Sequence, residues 1–147
     1  MTASYQVYPI GRIHKDDSGV RIEIEDAFQE ALDGLDGFSH ITVLYWFHQN
    51  DTAKKRGILK VRPRKDPTNP LTGVFATHSP CRPNLIAITH CRITAIDGNV
   101  IRIDEIDAYD QTPVIDIKAF IPMDRLSKEN VRVPDWVNNR RKGGGAP

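Results

Sequence analysis

The strongest structural signal in the chain lies in residues 85–106, LIAITHCRITAIDGNVIRIDEI. Two runs rich in β-branched residues, 85–96 and 100–106, stand on either side of Asp97-Gly98-Asn99. A turn of this composition between two apolar runs is a strong local signal for a β-hairpin. The stretch therefore predicts two long antiparallel strands, and the remaining strands are placed by working outward from them.

The rest of the chain repeats the same strand-and-turn pattern. Alternating or continuously apolar runs predict further strands over residues 5–14, 20–24, 41–47, 58–61, 74–76 and 114–117. One helix is predicted over 26–35, since its apolar residues recur at helical spacing and Gly34 and Gly37 mark its end. Many short strands with few helices indicate a mainly β fold, a barrel or a sandwich, and the absence of repeated βα units argues against a Rossmann sheet.

Length and composition favour a single globular domain. The chain has 147 residues, of which 39% are hydrophobic and 27% charged. No apolar run approaches the roughly 20 residues that a membrane-spanning helix needs. Two cysteines make no disulfide framework, which favours the cytoplasm. We expect a barrel domain over residues 1–126 and a polar tail over 127–147, whose last residues we expect to be disordered.

The charges are unevenly distributed although the formal net charge is only +1. Residues 54–65 hold seven cationic side chains, which we call the basic segment: Lys54, Lys55, Arg56, Lys60, Arg62, Arg64 and Lys65. Such a segment can contact the phosphates of a nucleic acid, or it can be a solvated loop that keeps the protein soluble. The sequence leaves both interpretations open.

The sequence gives little support for a metal site or for a glycine-rich phosphate-binding loop. His78 and Cys81 followed by His90 and Cys91 superficially suggest metal ligands. However, His90 and Cys91 are adjacent on a predicted strand and must point to opposite faces, so we predict no metal site. Neither common glycine-rich phosphate loop occurs.

Residues 73–89, GVFATHSPCRPNLIAIT, contain a polar loop between two apolar runs. Prolines at 80 and 83 make this loop stiff, so Arg82 and Asn84 stand in a defined place. Arginine suits phosphate or carboxylate recognition, whereas Asn84 can equally stabilise the turn. His48 and Gln49 follow the apolar run 41–47, where they either form the rim of a site or end the strand.

Residues 73–89, together with DQTPVIDIKAFIP at 110–122, resemble the TsaA/TrmO-like family of small β-barrel methyltransferases, which use S-adenosylmethionine and modify tRNA. ATHSPCRPNLIAI stands where the family has a pattern like ATRSPxRPNPIG, so His78 replaces arginine. DQTPV stands where it has DGTPV, so Gln111 replaces glycine. The family's Pro-Arg-Gln element after the first strand is absent. The resemblance covers most of residues 5–122.

The resemblance implies a small closed β-barrel with one or two short helices, forming a homodimer with S-adenosylmethionine as cofactor. The cofactor would contact His48, Gln49, His78, Ile88, Asp104, Glu105, Ile106 and Asp107. The acidic stretch 104–107 has a second interpretation, a charged strand edge that prevents aggregation. The substrate, tRNA, would contact Arg82, Asn84, Lys54, Lys55 and Arg56. The implied reaction methylates N6 of threonylcarbamoyl-adenosine at position 37, and no catalytic base is identified. The alternative is a non-catalytic barrel that binds S-adenosylmethionine or another adenosine-containing ligand.

Overall fold

A computed structural model describes residues 2–126 and 128–138 of the chain. Its contacts divide the chain into two compact units. The barrel unit comprises Met1–Gln49 and Leu85–Phe120, and the loop unit comprises Asn50–Asn84 and Ile121–Pro147. The predicted disorder of the last residues falls outside the described part of the chain.

The described residues form eight strands, and six of them make a closed antiparallel barrel in the order β1-β2-β7-β6-β3-β8. The strands are β1 Gly11–Asp16, β2 Gly19–Ile24, β3 His40–Trp46, β4 Lys60–Val61, β5 Thr72–Gly73, β6 Ile86–Asp97, β7 Val100–Ile103 and β8 Pro113–Ala119. Closure depends on a short pairing of β1 with β8, in which Gly11 lies opposite Val114. The predicted mainly β, closed-barrel fold is confirmed.

The barrel interior is filled by alternate residues of its strands. Ile22 of β2 lies opposite Ile101 of β7, and both side chains are fully buried. Isoleucine and valine dominate this core because branched side chains pack well on a pleated surface. Burial of apolar area at about 25 cal/mol per Å² makes this core the main source of the unit's stability.

The predicted hairpin is confirmed in β6 and β7. Asp97 pairs with Val100 across the turn, and Gly98 has a φ of 59°, a value at which an L side chain would be strained. The Asn99 side-chain amide donates to the Ile24 carbonyl at 2.7 Å. The turn is therefore fastened to the end of β2.

Two predictions within the barrel unit are wrong in detail. The strand predicted over 5–14 begins only at Gly11, and Tyr5 is 90% exposed, so its apolar character does not reflect burial. The helix predicted over 26–35 is two 3-10 helices, Asp26–Leu32 and Leu35–Gly37. Gly34 separates them with a φ of 87°, and neither contains a fully buried residue, so packing does not enforce one regular α-helix.

The loop unit has little regular structure. Its two strands β4 and β5 pair only through Lys60–Gly73 and Val61–Thr72, so the strand predicted over 58–61 is shorter than expected. The segment 74–76, predicted as a strand, is a 3-10 helix. The remaining helices are α1 Ala53–Arg56, α2 Asp135–Asn138, and the 3-10 helices Pro63–Lys65 and Lys128–Asn130. A further 3-10 helix, His48–Asn50, follows β3 after one intervening residue, Phe47.

No helix within residues 2–126 and 128–138 has the length and apolar character needed to cross a membrane. In the same described residues, no group of three or more His, Cys, Asp or Glu side chains is arranged to hold a metal ion.

Candidate functional site

The Tyr45 hydroxyl connects β3, β6 and the stretch 104–107, each of which carries or adjoins residues that the resemblance assigns to the cofactor. It donates to the Asp107 carbonyl at 2.8 Å and lies 2.9 Å from the Thr89 hydroxyl oxygen. Thr89 follows Ile88 on β6, and Tyr45 itself lies three residues before His48. Burial raises the pKa of Tyr45, so the phenol remains a neutral donor. One buried hydroxyl thereby fixes these three backbone segments relative to one another.

His48 and Gln49 lie where the chain leaves β3 in the 3-10 helix His48–Asn50. His48 is half-buried and Gln49 is exposed. The backbone N–H of Phe47 donates to the Leu85 carbonyl at 2.8 Å, so the strand stays paired up to the residue before His48. The two polar side chains are therefore presented at the end of an ordered strand.

The acidic stretch 104–107 has a distinct role at each position. The Asp104 carboxylate accepts from the backbone N–H groups of Arg92 at 2.9 Å and Glu105 at 2.8 Å, and hydrogen bonding lowers its pKa, with the Glu105 N–H the largest cause. Ile106 is buried in the core, and its carbonyl accepts from Lys15 Nζ at 2.6 Å. Glu105 and Asp107 are exposed. Unlike the Asp104 carboxylate, the carboxylates of Glu105 and Asp107 make no hydrogen bond to the barrel backbone within the described residues.

Ile88 lies on the outer face of the barrel. It pairs with Leu44 on β3 and is 50% exposed, and its neighbour on the same face, Ile86, is 42% exposed. The side chain can therefore form an apolar wall outside the barrel, and it contributes nothing to the interior.

In the loop unit, Arg82 holds the loop 74–82 closed from within. Its Nη1 atom lies within hydrogen-bonding distance of three backbone carbonyls, at 3.2 Å from Thr77, 3.3 Å from Ser79 and 3.4 Å from Val74. The side chain is half-buried. An arginine used in this way shapes the loop, and contact with substrate would require its remaining donors.

The other predicted residues of the loop are more accessible. His78 and Asn84 are exposed, and Asn84 follows Pro83, whose carbonyl accepts from Arg56 Nε at 2.9 Å. Arg56 also forms an ion pair with Asp51 at 3.1 Å. Arg56 therefore supports the loop that carries Asn84, in addition to any contact with substrate.

The arginines and the lysines of the basic segment differ in their contacts and exposure. Arg62 donates to the Asn69 carbonyl at 2.8 Å, and Arg64 donates to the carbonyls of Trp136 and Val137 at 3.1 and 3.0 Å. The lysines differ, since Lys54, Lys60 and Lys65 are exposed while Lys55 is half-buried. Most of the cationic charge that faces solvent is therefore carried by lysines.

Sequence reasoning missed two residues that bear on this site. Tyr45 was hidden in a continuously apolar run, where only the alternation of buried positions along β3 would have marked its ring as pointing inward. Phe75 was assigned to a strand, yet it is 81% exposed on a 3-10 helix. The unusual feature there is an exposed aromatic residue two positions after Gly73, which pairs with Lys60.

Comparison with known proteins agrees with the resemblance. A profile of the tRNA-methyltransferase O N-terminal domain matches residues 3–124. The chain is 52% identical over 116 residues to a "Probable S-adenosyl-L-methionine-binding protein" of Methanocaldococcus jannaschii, covering 79% of this chain and 92% of that protein. It is 36% identical over 114 residues to the tRNA (adenine(37)-N6)-methyltransferase of Mus musculus, covering 78% of this chain and 26% of that protein.

Solved structures show the same fold. The crystal structure of TrmO from P. aeruginosa superposes with a TM-score of 0.69 at 25% sequence identity. The match covers 92% of this chain and 63% of that one, so the chain spans less than two thirds of the solved relative.

Proposed function

The chain belongs to the family of the tRNA-methyltransferase O N-terminal domain, and from that membership we propose that it is an S-adenosylmethionine-dependent tRNA methyltransferase. The observation that carries the proposal is the family match across residues 3–124, which includes every residue assigned to the cofactor and the substrate. We further propose that the methyl acceptor is N6 of threonylcarbamoyl-adenosine at position 37. Cytoplasmic localisation follows from a tRNA substrate.

The residues present fit the cofactor chemically. The exposed carboxylates of Glu105 and Asp107 can accept hydrogen bonds from ribose hydroxyls or from the methionine ammonium. His48 and Gln49 offer both donors and acceptors, and Ile88 offers an apolar wall. In place of the family's arginine, His78 can still donate to a carboxylate, although without the fixed charge and two-pronged geometry. When bound, the cofactor supplies an activated methyl group on a sulfonium.

The chain's own contribution to such a reaction is positioning. Displacement at a methyl carbon requires the acceptor nitrogen and the leaving sulfur to be in line, and holding both in that geometry supplies much of the rate acceleration. The hydrogen bonds of Tyr45 to Asp107 and Thr89 keep the cofactor segments fixed, and the Arg82 contacts keep the loop 74–82 fixed. Rigid backbone of this kind limits the ordering that binding must impose.

The basic segment is proposed to contact tRNA phosphates. Because its arginines bind backbone carbonyls, the variants that test this are Lys54→Ala, Lys60→Ala and Lys65→Ala, which leave those hydrogen bonds intact. For each lysine that neutralises a phosphate, its removal should reduce the slope of log affinity against log salt by about 0.9 on duplex nucleic acid. A slope that does not change would assign the segment to the solvated surface.

A homodimer is also proposed, with the exposed apolar outer face of β6, Ile86 and Ile88, as a candidate contact. Light scattering at micromolar concentration should report twice the mass of the 16.6 kDa chain. A single 16.6 kDa species would contradict the dimer.

The decisive experiment for function has two steps. Calorimetric titration with S-adenosylmethionine should give saturable heat, and tRNA incubated with protein and cofactor should then yield a methylated threonylcarbamoyl-adenosine by mass analysis of its nucleosides. Absence of cofactor binding refutes the proposal. Cofactor binding without any methylated nucleoside would instead identify a binding module.

A further inference from the structure

Phe75 is an apolar side chain that the fold leaves in solvent. It lies in the 3-10 helix Val74–Ala76 and is 81% exposed, while Val74 beside it is only 2% exposed. Leu59, just before the small sheet, is also 62% exposed, and its carbonyl accepts from the Val74 N–H at 3.0 Å. The turn is thus anchored through Val74 and presents the aromatic ring outward.

The backbone that carries Phe75 is held from several directions. The Val74 carbonyl accepts from the Thr77 N–H at 3.1 Å, from the Thr77 hydroxyl at 2.8 Å and from Arg82 Nη1 at 3.4 Å. The turn that carries the ring is therefore ordered before any partner arrives. Less conformational entropy is then lost when a partner binds the ring.

The segment that pairs with this turn is cationic, and Asp51 and Asp66 lie just outside its two ends. Residues 53–65 contain seven lysines and arginines and no aspartate or glutamate. Lys60, which is exposed, pairs in register with Gly73, two residues before Phe75. An exposed aromatic ring beside a cationic segment is the combination that binds single-stranded nucleic acid, since bases stack on the ring while cations contact the phosphates. A polar protein partner would not require the ring, and an apolar one would not require the cations.

We propose that Phe75 is a stacking platform for an unpaired RNA base, with Lys60 and the other exposed lysines of the basic segment contacting the phosphates next to that base. The inference rests on the proposed function in that the partner is RNA. It adds a positioning residue for the substrate that the sequence did not indicate. Phe75 is separated from His78 by only two residues, so the stacked base would be bound on the same loop that is assigned to the cofactor.

The test uses the full chain and an RNA hairpin whose single-stranded loop carries a fluorescent 2-aminopurine. Phe75→Ala should weaken binding of the hairpin by about 5- to 150-fold, the range found when a stacking aromatic is truncated. It should also remove the quenching of the 2-aminopurine. Phe75→Trp should retain both signals, whereas Phe75→Leu, which is apolar without a π face, should lose them. Affinity for a blunt RNA duplex should not change, because its bases are already stacked.

Two controls establish that the effect is specific to this ring and to RNA. Tyr5→Ala removes another exposed aromatic ring, 90% exposed in the barrel unit, and should leave hairpin binding unchanged. Calorimetry with S-adenosylmethionine should give the same affinity for Phe75→Ala as for the unaltered chain. Because Phe75 is so exposed, its truncation should not affect folding, which the thermal midpoint will verify.

The possible outcomes test the Phe75 platform separately from the proposed function. If the unaltered chain binds cofactor and hairpin but Phe75→Ala binds the hairpin equally well, the platform is refuted and the proposed function stands. If Phe75→Ala or Phe75→Leu changes only the mass measured by light scattering, the ring belongs to a contact between copies, which also refutes the platform. If the unaltered chain binds neither cofactor nor RNA, both proposals fail.

Discussion

The barrel unit and the loop unit are stabilised in different ways. Twelve buried side chains form one core in the barrel unit, all of them on or beside its strands. In the loop unit, the buried positions among the described residues are Pro63, Asn69 and Val74. Hydrogen bonds from arginines add to the stability of this unit. Backbone carbonyls accept from Arg56, Arg62, Arg64 and Arg82. A periodic apolar pattern can specify the first kind of unit and cannot specify the second.

Most of the polar contacts that complete the two units also differ in chemistry. There are exceptions, since the Arg12 guanidinium donates to the Gln111 carbonyl at 3.1 Å in the barrel unit and the Asp66 carboxylate accepts from the Thr68 N–H at 2.9 Å in the loop unit. In the barrel unit, carboxylates accept from backbone N–H groups, as Asp104 does from Arg92 and Asp110 does from Lys15 at 2.8 Å. In the loop unit, guanidinium groups donate to carbonyls. Carboxylates become protonated in acid whereas arginine stays charged at every pH of interest. Acid should therefore weaken the first set of contacts and spare the second.

The largest effect is expected from the barrel core. Ile22→Ala removes a fully buried side chain opposite Ile101 and leaves a cavity, which should lower the free energy of unfolding by about 2–5 kcal/mol. Denaturant unfolding followed by circular dichroism measures this loss. Ile121→Ala, the same chemical change at a 68% exposed position, is the matched control and should cost less than about 1 kcal/mol. Equal losses would mean that burial does not dominate the barrel.

The loop unit should respond to the loss of one arginine without unfolding the barrel. Arg82→Lys keeps the charge, but its ammonium ends one bond short of the Nη1 atom from which Arg82 reaches all three carbonyls. Charge-assisted hydrogen bonds are worth about 1.5–3 kcal/mol each, so amide exchange should accelerate in residues 74–84 by roughly tenfold or more. Exchange in β3 and β6 should stay unchanged. Weaker RNA binding with unchanged exchange would instead indicate that Arg82 contacts substrate directly.

Because carboxylates make such contacts in the barrel unit, we expect the stability of this unit to depend on pH. The folded-state pKa of Asp104 lies below the ordinary 3.8, chiefly because the Glu105 N–H binds the carboxylate. The stability that this carboxylate contributes is present above pH 3.8 and is lost as the pH falls through the lower, folded-state pKa. Asp104→Asn should therefore cost stability at pH 7, less than about 1 kcal/mol because solvent screens the site, and cost nothing in strong acid.

Asp17→Asn provides the control for this pH dependence, since it removes one exposed negative charge from the same unit. Its unfolding free energy should follow that of the unaltered chain across the whole pH range. A cost of Asp104→Asn that persists in strong acid would show that its contribution is not electrostatic.

The sequence predicted the barrel better than the loop unit for a physical reason. Strand alternation has a period of two and is visible over a few residues, so β2, β3, β6, β7 and β8 were all found. The turn at 74–76 was assigned to a strand because Val and Phe favour strands. Only the Thr77 and Arg82 contacts with the Val74 carbonyl bend it into a 3-10 helix. Such contacts join residues at irregular separations and leave no periodic signal.

The site was predicted through resemblance more than through pattern. Motif matching selected the segments 48–49, 78–88 and 104–107. Tyr45, which no motif contained, donates to the Asp107 carbonyl and contacts Thr89, the residue after Ile88. Motif matching also assigned Asp104 to the cofactor and Arg82 to the substrate, whereas in the structure each of these side chains contacts the backbone. A motif records which residues a fold needs at a site and does not separate those that bind the ligand from those that hold the loop.

The smallest effect concerns backbone strain, which both units contain. Arg64 and Lys65 in the loop unit and Gln111 in the barrel unit have φ values of 58°, 54° and 66°. This left-handed conformation costs an L residue about 1–2 kcal/mol, and Gln111 stands where the family pattern has glycine. Gln111→Gly should relieve that strain but lose about 0.5–1 kcal/mol through chain entropy, together with the hydrogen bond between Gln111 Nε2 and His14 Nδ1 at 3.0 Å. Gln111→Ala loses the same amide yet keeps the Cβ atom, so glycine should be at least as stable as alanine in thermal unfolding, by up to about 1.5 kcal/mol. An alanine variant that is more stable than the glycine variant would show that Gln111 is not strained, and that the glycine of the family pattern is needed for some reason other than its backbone conformation.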